Sequence, residues 1–84
     1  MNEFYFTFRS VTQAQAGLAA LTQQGIPSTL VRIPKRLSQI GCGYALKLPA
    51  EHGHAAGAAL RRESVPFKRC FQVNAGGQME EVFL

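Results

Sequence analysis

Phe4-Tyr5-Phe6-Thr7-Phe8-Arg9-Ser10-Val11-Thr12-Gln13 decides the fold. The first half alternates, with Phe4, Phe6 and Phe8 on one side, which is the period-two pattern of a strand with one buried face. The second half changes period. Ser10 is followed three residues later by Gln13, a capping box in which the serine hydroxyl takes the N3 amide of a new helix. Ala14, Leu18 and Leu21 then recur at helical spacing and form an apolar stripe. A strand that passes into an amphipathic helix through one capping residue opens a βαβ unit.

The flanking sequence completes the pattern. Gly25 ends the helix, because glycine enters the left-handed cap at little cost, and Pro27 blocks any continuation. Thr29 to Ile33 reads as a second strand stopped by Pro34. Lys35 to Gly41 is a connecting loop with room for one helical turn. Gly43 to Leu48 is a third strand, and Pro49 separates it from an alanine-rich helix over Ala50 to Arg62. Glu51 stands near the positive pole of that helix and Arg61 and Arg62 near its negative pole. Phe67 to Val73 is a fourth strand. Gly25-Ile26-Pro27 before strand two resembles Ser64-Val65-Pro66 before strand four, so the chain reads as two βαβ halves. Interleaved right-handed halves predict an α+β, ferredoxin-like βαββαβ sandwich: an antiparallel four-stranded sheet with two helices on one face. Residues 1–73 form this domain. Residues 74–84 are a flexible C-terminal tail or an added edge strand, and the apolar Val82-Phe83-Leu84 also fits a homodimer contact.

With 84 residues, the chain has room for one domain close to the lower limit for a self-sufficient core. The net charge of +4 favours acidic partners. No apolar stretch approaches a membrane span, and the first residues lack a signal pattern, so a cytoplasmic, reducing location is expected. Two cysteines there are expected to be free thiols.

Cys42 carries the functional expectation. It sits between Gly41 and Gly43, where a basic segment gives way to a strand, so neighbouring side chains do not cover it. In the predicted topology the start of strand three lies beside the end of strand one, where the first helix begins. Cys42 is therefore expected near Ser10, Val11 and Thr12 at the helix's positive pole. Arg9, Arg32, Lys35 and Arg36 add cations. Free amides and positive charge both favour the thiolate and lower the pKa of a thiol. Cys70 alternates with Lys68 and Gln72, away from Phe67, Phe71 and Val73. It is expected on the helix-free face, separated from strand three by strand one and too far from Cys42 for a disulfide.

Phe8-x-Ser10-x-x-x-Ala14, Gly25-Ile26-Pro27, Pro34-Lys35-Arg36-Leu37-Ser38 and Cys42-Gly43-Tyr44-Ala45-Leu46 together resemble the selenium/sulfur carrier protein-like family of small bacterial domains, from Phe4 to Val73. The resemblance implies a ferredoxin-like fold and one working cysteine, Cys42. It implies a carrier or accessory protein rather than an independent enzyme. Cys42 would hold a persulfide or selenosulfide received from a cysteine desulfurase-type donor and pass it to an acceptor protein. Lys35, Arg36 and Ser38 would orient or stabilise the terminal anion. Lys35 stands where the family pattern usually has arginine, which keeps the charge and loses the two-pronged grip on an oxyanion.

Two other readings stay open beside it. Arg9, Arg32, Lys47 and Lys68 are expected on the helix-free face, the face that RNA-recognition domains use. Strand three offers no aromatic there, so nucleic acid is not the favoured ligand. A non-catalytic regulatory or assembly module is the other reading. No cofactor or metal is expected. Neither cysteine has a Cys or His at zinc spacing, and His52 and His54, two apart near the start of a helix, face different sides. Gly53-x-x-x-Gly57 fits close packing of small residues on the sheet, and Glu80-Glu81 fits a solvated pair.

Overall fold

The structure, a computed structural model, describes residues 2–33 and 43–84. Its elements in chain order are β1 (Glu3–Thr7), α1 (Val11–Gln23), β2 (Thr29–Arg32), β3 (Tyr44–Pro49), α2 (Gly53–Arg62), β4 (Arg69–Val73) and β5 (Met79–Val82). A single 3-10 turn, Ala50–His52, leads from β3 into α2. The expected helical turn within Lys35–Gly41 lies outside the described residues.

Every neighbouring pair of strands runs antiparallel, in the order β2-β3-β1-β4-β5. The sheet has five strands where four were expected, because Met79–Val82 pairs along the free edge of β4. Register sorts the faces. Phe4 lies opposite Leu48, and Phe6 opposite Leu46 on one side and Cys70 on the other. These residues pack with Ala14, Ala20 and Leu21 of α1 and Ala56, Ala59 and Leu60 of α2, so both helices cover the same face. Burying a phenylalanine contributes about 2–3 kcal/mol, against about 1 kcal/mol for a helix cap. The aromatic row of β1 therefore outweighs the local signals around it. The approach of α2 is close: a Cβ on Gly53 would stand 2.5 Å from the Phe4 ring.

The opposite face carries a smaller apolar cluster of Ile33, Ala45 and Phe71, flanked by Tyr5 and Met79. This corrects the expected facing of β4. Cys70 lies on the helix-covered face and Phe71 on the bare one. Phe67 precedes the ladder and packs edge-on against Phe6, with centroids 4.9 Å apart, so strand parity does not govern it. The expected row of cations on the bare face is also corrected. Lys47, paired with Tyr5, stays there. Arg32 shares the side of Leu30, which packs on the helix-covered core, and its guanidinium lies 5.2 Å from the centre of the Tyr44 ring. Arg9 and Lys68 lie beyond the strands.

The likeness between the two halves is a matching hydrogen-bond motif. Gly25 (φ +74°) and Ser64 (φ +58°) both take the left-handed conformation after their helices. Ile26 N–H donates to Leu21 C=O and Val65 N–H to Leu60 C=O, each at 2.9 Å. This is the bond that closes a helix in a Schellman motif. Ile26 and Val65 then both pack on the core.

Candidate functional site

One end of the sheet gathers the groups of interest. The β1–β3 ladder ends at Thr7 opposite Ala45, and the β2–β3 ladder at Arg32 opposite Tyr44. One step further, Ile33 N–H donates to Gly43 C=O at 2.9 Å and holds the two strands together beyond the ladder. Lys68 N–H donates to Thr7 C=O at 2.7 Å, which sets the residue before β4 at the same end. Thr7 itself is fully buried; its hydroxyl accepts from Arg69 N–H at 3.1 Å.

Ser10 and Gly43 are the two expected site residues within the described structure. Ser10 is the extended N-cap of α1, and its Oγ accepts the Gln13 N–H at 3.2 Å, as the capping box requires. Its own hydroxyl proton remains available to an acceptor at the mouth of the helix. Gly43 has φ +94°, a conformation that side-chain-bearing residues rarely adopt, and no atom lies within 4 Å of where its Cβ would be. Backbone conformation, not crowding, is what calls for glycine there. Cys42, Gly41, Lys35, Arg36 and Ser38 lie outside the described residues. Cys42 is joined through its peptide bond to Gly43, and thus to the sheet end just described.

Arg9, Gln13, Pro66, Phe67 and Lys68 line a cleft of about 150 Å³ at this same end. Sequence reasoning missed it. The register of β4 brings Lys68 to Arg9, and no local pattern encodes that register. A larger cavity, about 750 Å³, lies at the opposite end by the β4–β5 turn, lined by Gln72, Asn74, Gly77, Gln78, Met79 and Glu80. It has no nucleophile in its wall.

Cys70 is the other thiol. It is a free cysteine, almost fully buried, and its Sγ–H donates to Val82 C=O at 2.8 Å. Burial pushes its pKa above the ordinary 9.0; nearby Glu81 pushes the same way, and Arg61 opposes them. A thiol held neutral under a strand is a poor nucleophile, so this cysteine packs like a small hydrophobe. Among the described residues no cluster of three His, Cys, Asp or Glu side chains could hold a metal, and no helix is long and apolar enough to cross a membrane.

A family model described as Putative Se/S carrier protein-like matches residues 3–72. No curated protein and no solved structure matches the chain.

Proposed function

The chain belongs to the Se/S carrier protein-like family, and from that premise we propose that Cys42 is a chalcogen carrier: it takes a sulfane sulfur or selenium atom from a donor enzyme and yields it to an acceptor protein. The observation that carries this reading is the family match, which runs through Cys42 and ends before the tail. The described end of the sheet supports it. Gly43 holds a backbone conformation only glycine adopts easily, and the cap of α1 and the cleft with Arg9 and Lys68 lie at the same end of the sheet.

The step balances without an added oxidant. The Cys42 thiolate attacks the outer sulfur of the donor's persulfide. A bond forms between Cys42 Sγ and that sulfur, and the bond from the sulfur to the donor's own Sγ breaks. The donor leaves as a thiolate with the electron pair, and the proton travels with the transferred sulfur. Delivery to the acceptor repeats the step in the other direction. The chemistry needs a thiolate and an open approach, and no internal base. The scaffold that goes with this reading is ferredoxin-like, two split βαβ units giving β2-β3-β1-β4, with β5 added at the edge.

Nucleic-acid binding on the bare face is disfavoured by its charges. Lys47 lies 3.6 Å from a carboxylate oxygen of Glu3, and Arg69 3.8 Å from one of Glu81. Among the described residues, these two cations of that face are already opposed by acids. The test of the carrier reading is mass spectrometry of the chain after incubation with a cysteine desulfurase and cysteine. The expected result is one extra sulfur on Cys42, absent in Cys42→Ser and kept in Cys70→Ser. No adduct, or one that survives Cys42→Ser, overturns it.

A further inference from the structure

Exposed groups that folding does not use collect at the end of the sheet that leads to Cys42. Two large hydrophobic side chains stand exposed among the described residues, Val11 at 38% and Phe83 at 86%. Val11 opens α1 directly after Ser10. Phe83 follows Val82, which pairs with Cys70 near the start of β4, so Phe83 also projects at the end where β4 begins. The same end of the sheet holds the cleft with Arg9 and Lys68 on its walls. Among the described residues neither cation has an ion pair or side-chain hydrogen bond, whereas Lys47 and Arg69 elsewhere on the sheet each face a carboxylate. The opposite end carries Glu3 and Glu51.

We propose that this end is the docking surface for an acidic protein partner, the sulfur-donor enzyme. The Arg9–Lys68 cleft receives a carboxylate side chain, and Val11 and Phe83 anchor the apolar part of the contact. The identification of the partner rests on the carrier reading; the surface rests on the geometry. A cleft of about 150 Å³ admits a side chain and excludes a folded segment. Two cations that share the cleft wall with Pro66 and Phe67 suit an anionic group at the end of an apolar stem. An exposed aromatic at the same end of the sheet is the residue type that anchors protein interfaces. Cations at the docking end speed encounter with an acidic partner and help set its orientation. Docking there presents the donor to the segment that carries Cys42.

The test follows sulfur loading of Cys42 by mass spectrometry as the concentration of the desulfurase rises, in the unaltered full chain and in the Lys68→Glu, Phe83→Ala double variant. Both side chains are exposed outside the core, so folding, checked by circular dichroism, is expected to be retained. The half-saturating donor concentration should rise about tenfold or more, most strongly at low salt. Alkylation of Cys42 by uncharged iodoacetamide, which needs no docking, should fall far less than the half-saturating concentration rises. An unchanged half-saturating concentration overturns the docking surface and leaves the carrier reading standing. Loading of the unaltered chain by polysulfide but not by the desulfurase also overturns the proposed partner and spares the carrier. Loading by neither removes both.

Discussion

The two ends of the sheet are built from similar secondary structure and carry opposite chemistry. At one end Arg9 and Lys68 share a cleft with Gln13 in the first turn of α1, and Arg32 lies opposite Tyr44. At the other, Glu3 is neutralised by Lys47, Glu51 opens the turn before α2, and a tight turn at Gly77 joins β4 to β5. The core between them is continuous and does not distinguish the ends. Stability and charge are thus carried by separate residues: aromatics along the strands hold the fold, while Arg9 and Lys68 at one rim form no ion pair among the described residues.

The largest expected effect tests that separation. Phe6→Ala should destabilise the domain by about 3–5 kcal/mol in urea unfolding, because Phe6 is fully buried between the helices and three strands. Lys68→Ala should change stability by less than about 0.5 kcal/mol, as an exposed side chain with no partner among the described residues does. Comparable losses from the two variants would break the comparison.

A second pair sharpens it. Gly43 (φ +94°) and Gly77 (φ +83°) sit at opposite ends, each in a conformation strained for any other residue. Gly43→Ala and Gly77→Ala should each cost about 1–2 kcal/mol. Only Gly43→Ala should also slow sulfur loading. Equal slowing from both would show that loading follows stability and not the site.

Cys70, beside the middle of β1, gives a pH signature that belongs to neither end. Its folded pKa is raised by burial above the ordinary 9.0. The unfolded chain therefore loses the proton first as pH rises. The contribution is intact below about pH 9 and is lost above it, with a slope of at most about 1.4 kcal/mol per pH unit until the folded pKa is reached. Chemical unfolding across pH 7 to about 10 should show this fall, and Cys70→Ala should remove it. A slope that survives in Cys70→Ala would mean that another group is responsible.

The smallest effect compares the two helix exits. Gly25 occupies its left-handed position without strain, and Ser64 does not. Ser64→Gly should stabilise by somewhat under about 1 kcal/mol, and Gly25→Ser should destabilise by a similar amount. Thermal unfolding of the two variants measures both. Shifts in the same direction would contradict the shared motif.

The first half of the fold was legible because its signals are local. The alternation of Phe4, Phe6 and Phe8, the Ser10–Gln13 cap and the Gly25 exit each specify their own geometry. The face of β4 was not legible: Phe67 and Phe71 share a parity, but Phe67 packs on the core from outside the ladder, while Phe71 belongs to a second apolar cluster. A small thiol could therefore take the inward position unannounced. Strand β5 was weakly marked, because two central glutamates break its alternation and pairing with β4 fixes it. Of the candidate site, the Ser10 cap and the glycine at residue 43 could be read locally. The cleft between Arg9 and Lys68 could not, since it depends on the register of two strands sixty residues apart.

The central claim is that the cationic end of the sheet holds a thiolate. The direct measurement is the pH dependence of Cys42 alkylation by iodoacetamide in the unaltered chain, followed peptide by peptide in the mass spectrometer. The account predicts a midpoint below the value of a free cysteine, about 8.5. A midpoint at or above that value would contradict it.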